Sequence, residues 1–167
     1  MLPIKWKAFR MVIYLHLAST TILGGYMLLR AFESISSYTR SEDIWGLIIV
    51  IVCTSILLVN SSISLYLLER HYPAQLPGNG PYRASRVLGF FAWIVALLYA
   101  AGSGYGFYQL TKYNYWQNNV QAVLVFFAMG VISLSGFYLL WNQVSLRKAI
   151  RRNHEASLNS FLEEDQP

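Results

Sequence analysis

Ile44-Trp45-Gly46-Leu47-Ile48-Ile49-Val50-Ile51-Val52-Cys53-Thr54-Ser55-Ile56-Leu57-Leu58-Val59-Asn60-Ser61-Ser62-Ile63-Ser64-Leu65-Tyr66-Leu67-Leu68 contains no charged residue. Its run from Leu47 to Val52 is rich in β-branched side chains, which in a water-soluble protein would suggest a buried strand. Strands usually end after about 5–6 residues, and this stretch continues far beyond that length with no proline or turn cluster. About 20 apolar residues in helical form cross a hydrocarbon core. A helix also satisfies its own backbone donors and acceptors, as hydrocarbon requires. The stretch is therefore read as a membrane-spanning helix.

Three more uncharged or nearly uncharged runs surround it, at 11–29, 87–110 and 120–140. The chain has 167 residues, 55% hydrophobic and only 13% charged, against about 25% charged in a soluble domain. This length holds four spans and short connections. The expected fold is all-α, a four-transmembrane-helix bundle with antiparallel neighbours, spanning 1–146. A basic tail at 147–167 follows as a cytoplasmic amphipathic extension. Between the second and third runs, Glu69 to Arg86 carries Pro73, Pro77 and Pro81. Proline fixes φ and lacks an N–H, so this segment is read as a water-side hinge between two hairpins.

Charge sets the expected orientation. Ten of the thirteen Lys and Arg lie at the N-terminus, in the hinge and in the tail, which share one side if there are four spans. The other side holds only Arg30, Arg40 and Lys112. The positive-inside rule then places both termini and the hinge in the cytoplasm. The chain is expected to be a multi-pass integral membrane protein, of the plasma (inner) membrane in a bacterium. Its net charge of +5 is read as topology and anionic-headgroup contact, with the lipid bilayer and not nucleic acid as the partner.

Several chemistries are disfavoured. Cys53 is the only cysteine, so one chain cannot form a disulfide or a dithiol site. Lys5, Lys7 and Arg10 precede an apolar run, but no small-residue cleavage site follows, so the run is read as a retained span. His16 is the only histidine within a span, too few for bis-histidine haem ligation by a single chain. No catalytic residues, metal ligands or cofactors are assigned. Asn60-Ser61-Ser62 fits a glycosylation sequon, yet its place within a span argues against modification.

What remains is polarity within apolar runs. His16, Asn60, Ser61, Ser64, Ser133 and Ser135 form a candidate intramembrane cluster. Counting helical rise from the span ends puts them in the same half of the bundle. Unpaired polar groups are costly there, so His16 is expected to face inward, within reach of Asn60 and Ser64. Thr21 with Gly25, Ala100 with Gly104 and Gly102 with Gly106 have the four-residue spacing of close helix packing. Arg147, Lys148, Arg151 and Arg152, beside Leu146 and Ile150, are expected to meet lipid headgroups. The functional expectation is a non-enzymatic accessory or interaction subunit, associating with a second copy or another membrane protein. The alternatives are a small transporter or channel using the polar cluster, and a lipid-acting enzyme.

Overall fold

A computed structural model describes residues 4–37, 41–71, 79–114, 116 and 119–164. Four helices form: α1 (Ile4–Ser37), α2 (Ser41–His71), α3 (Asn79–Lys112) and α4 (Val120–Glu164). Each contains a stretch long and apolar enough to cross a membrane: Lys5–Arg30, Ile44–Glu69, Arg83–Lys112 and Val120–Asn153. No strand occurs among the described residues. The helices outrun the apolar spans because a helix need not stop where hydrophobicity does. Thus α3 begins at Asn79, well before Val87, and Pro81 falls in its first turn, where no intrahelical N–H is required. The rest of the hinge, 72–78 with Pro73 and Pro77, lies outside the described residues.

The helices form a ring in chain order, α1 against α2, α2 against α3, α3 against α4, and α4 back against α1. Across the ring, α2 touches α4, whereas no α1–α3 contact occurs among the described residues. At the α3–α4 connection, Tyr113 N–H donates to Gln109 O at 3.1 Å. Asn114 follows with φ of 53°, a left-handed helix stop that asparagine tolerates.

Two apolar clusters fill the interior. One joins Trp6, Phe9 and Ile13 of α1 to Leu67 and Leu68 of α2 and to Leu139, Leu146 and Ile150 of α4. The other joins Leu23, Leu57, Ala92, Val95, Tyr99, Ile132 and Leu140. The outward surface is apolar as well: Ile22 and Leu134 are each 73% exposed and Trp141 79%. Helices apolar around their whole circumference are the kind found in hydrocarbon or in a large core.

Trp6, near the start of α1, is buried edge-on against Phe9. Trp6, Phe9, Ile13, His16 and Thr20 recur every three or four residues, so all lie on the inner face of α1. At the start of the tail α4 continues unbroken, and Leu146 and Ile150 pack on α1 and α2, where the sequence reading had them facing the membrane surface. The side chains beyond residue 156 lie outside the description.

Close helix approaches use small residues, only in part those expected. Thr21 and Gly25 are exposed, with open space around Gly25. The neighbouring pair Thr20 and Gly24 is buried instead, and a Cβ at Gly24 would lie 2.6 Å from Thr54 Cγ2 on α2. On α3, Gly104 also faces open space and Ala100 is only partly buried. Gly102 and Gly106 face α4, where added Cβ atoms would meet Met129 and overlap the Phe126 ring. Gly136 completes this set, its missing Cβ lying 3.3 Å from His16 Cε1 and 3.5 Å from Ala96 Cβ.

Candidate functional site

Between the apolar clusters lies a band of buried polar side chains from three helices. On α2, the serines turn first to their own helix. Ser61 donates to Leu57 O and Ser64 to Asn60 O, each at 2.8 Å. Such bonds to the preceding turn satisfy hydroxyls without a second helix. Asn60 and Ser64 also accept from α4: Gln143 Nε2 donates to Asn60 Oδ1 at 2.9 Å and to Ser64 Oγ at 2.5 Å. Both hydrogens of one carboxamide are thus used across the diagonal of the ring, and Gln143 is 1% exposed.

His16 is buried on α1, and its Nδ1 lies 2.8 Å from Ser135 Oγ on α4. Ser135 Oγ donates to Val131 O at 2.7 Å. With that hydroxyl hydrogen on the carbonyl, Nδ1–H is the donor in the His16 bond. His16 is therefore joined to Ser135, not to Asn60 and Ser64 as the depth argument expected. The partner of Asn60 and Ser64 is Gln143, a residue absent from the expected cluster. Ser133 reaches the opposite way, donating to Ala96 O of α3 at 3.0 Å. Further along the same interface, Ser103 Oγ donates to Phe126 O at 2.8 Å. Every helix is thus tied to α4: α1 through His16, α2 through Gln143, α3 through Ser133 and Ser103.

The four tail cations separate into two environments. Lys148, Arg151 and Arg152 are exposed, and Arg151 pairs with Glu155 one turn along at 2.8 Å. Exposed pairs of this type contribute little stability. Arg147 turns inward and donates through Nη1 to Ser85 O at 3.1 Å and Ser85 Oγ at 3.2 Å. It joins α4 to α3, a contact the sequence did not indicate for any of the four.

Two grooves open on the outer surface. One, of about 410 Å³, lies between α1 and α4 among Ile22, Leu23, Tyr26, Leu124, Phe127 and Val131. At its end Arg30 donates to Gln121 Oε1 at 2.8 Å and to Glu33 at 3.1 Å. The other, of about 520 Å³, lies between α3 and α4 and is lined by Arg86, Gly89, Trp93, Phe137, Trp141 and Arg147, with Gln143 behind them. Among the described residues, no three His, Cys, Asp or Glu side chains converge as a metal site would require. No family model, curated protein or solved structure matches the chain.

Proposed function

We propose that the chain is a multi-pass integral membrane protein acting as a non-enzymatic accessory or interaction subunit, through its outer surface and not through its interior. The observation that carries this reading is the closing of Gln143 on Asn60 and Ser64. The most polar groups inside the bundle are occupied in fastening helices, as are His16 with Ser135 and Ser133 with Ala96 O. A solute route would need such groups to face a continuous path. The perimeter carries large apolar side chains and lateral grooves, against which lipid or another span can pack.

Mild solubilisation of native membranes, crosslinking and affinity purification of the full chain test this. The expected result is one membrane protein, or a second copy, recovered at fixed stoichiometry and crosslinked through outward positions such as Ile22 or Trp45. Solute uptake or lipid turnover by vesicles containing the purified chain alone would overturn the reading.

The orientation follows from charge: both termini and the hinge face the cytoplasm, because ten of thirteen Lys and Arg occupy that side. With Cys53 replaced by serine, single cysteines at Asn79 and Ser157 should be protected in intact cells from an impermeant thiol reagent. One at Ser37 should react. Labelling at Asn79 with protection at Ser37 would invert the topology.

A further inference from the structure

The α3–α4 groove is charged at one end and apolar along the rest. Arg86 and Arg147 stand at the charged end, and among the described residues no carboxylate lines it. From Arg86 to Trp93 along α3 the helical rise is about 10 Å, and from Arg147 back to Phe137 along α4 about 15 Å. Over that length the walls are Phe90, Trp93, Phe137, Leu140 and Trp141. The floor opens where Gly89 lacks a side chain, since a Cβ there would lie 3.2 Å from Gln143 Oε1. A buried carboxamide therefore adjoins the groove just below its cationic end. Arg147 is held in place by Ser85, and Arg86 is exposed.

We infer that this groove binds one anionic phospholipid, its phosphate between Arg86 and Arg147 and an acyl chain along Trp93 and Phe137. The inference rests on the membrane placement proposed above. Guanidinium groups match phosphate oxygens in geometry and charge, and basic pockets between spans are suited to anionic headgroups. A single phospholipid has this same arrangement, charge at one end and hydrocarbon below. A second copy seated in parallel would bring its own basic end toward Arg86 and Arg147, where like charges repel. The α1–α4 groove is a weaker candidate, because no cation is among its described lining residues.

Native mass spectrometry of the full chain in neutral detergent tests the site, with phosphatidylglycerol and phosphatidylcholine of matched chains as probes. One retained phosphatidylglycerol is expected, favoured over phosphatidylcholine by about fivefold or more, the effect of one well-placed cation. Arg86→Gln should remove about fivefold of that preference. Val144→Trp should reduce retention with both arginines intact, because Val144 lines the groove yet is 46% exposed, so the added bulk enters from the rim. The double variant Lys148→Gln/Arg152→Gln should bind as the parent does. Arg147 is left unchanged because its loss would also release Ser85. The site is overturned if Arg86→Gln and Val144→Trp bind as the parent does. It is also overturned if only the Lys148/Arg152 variant loses binding, if inorganic phosphate is retained equally without lipid, or if Val144→Trp dissolves a dimer instead of releasing lipid. A chain monodisperse in buffer without detergent would separately sink the membrane placement.

Discussion

Replacing Gly106 by leucine should lower the unfolding free energy of the purified protein by about 3 kcal/mol, the upper range for an overpacked interior. Even a single added carbon at this position would overlap the Phe126 ring. That ring has little room to withdraw. It lies tilted on Phe107 with centroids 6.3 Å apart, and Phe107 in turn stacks on Trp116 at 5.8 Å. Gly104→Leu is the control from the same glycine-rich segment. Its Cβ would meet open space, so only the gain in helix propensity remains, about 0.5–1 kcal/mol of added stability. Reversible unfolding in mixed detergent micelles reads both changes. Equal destabilisation by the two variants would mean that α3 does not approach α4 through Gly106.

Gln143→Leu should cost about 2 kcal/mol in the same assay, because it removes both donors and leaves Asn60 Oδ1 buried without them. Ser64 is less affected, since it still donates to Asn60 O. His16→Leu should cost less, about 0.6 kcal/mol, the average for a side-chain hydrogen bond between membrane helices. Its partner Ser135 keeps the bond to Val131 O, so no hydroxyl is stranded. The order of the two is the test: a larger loss at His16 than at Gln143 would show that α4 is fastened mainly to α1.

The four-helix architecture was legible because length decides between strand and helix once an apolar run passes some 20 residues. The site was legible in part. Asn60, Ser64, His16 and Ser135 are polar within apolar runs, so they stand out. Gln143 did not, because it lies past Leu140, the expected end of the fourth apolar run. A signal was present: Leu139, Gln143, Leu146 and Ile150 continue one helical face at three- and four-residue steps. Following that stripe past Trp141 would have placed Gln143 inside. The choice between Thr20–Gly24 and Thr21–Gly25 had no comparable signal of its own. Both pairs have four-residue spacing, and it is Thr54 on α2, across the interface, that selects Gly24. Arg147 looked like its neighbours because a cation at a span end suits a headgroup or a helix carbonyl equally. Its bond to the helix carbonyl depends on where α3 places Ser85.

Whether the interior polar groups serve to hold the bundle in register is read most directly by a double-mutant cycle on Asn60→Leu and Gln143→Leu. Unfolding free energies of the parent, the two single variants and the double variant isolate the term shared by the pair. A coupling of about 0.6–1.7 kcal/mol, from the average to the largest value for membrane helices, is the predicted result. The double variant should then lose clearly less than the two single losses added together. A coupling within about 0.3 kcal/mol of zero, the scatter of independent sites, would contradict the fastening of α4 to α2 on which the proposed function rests.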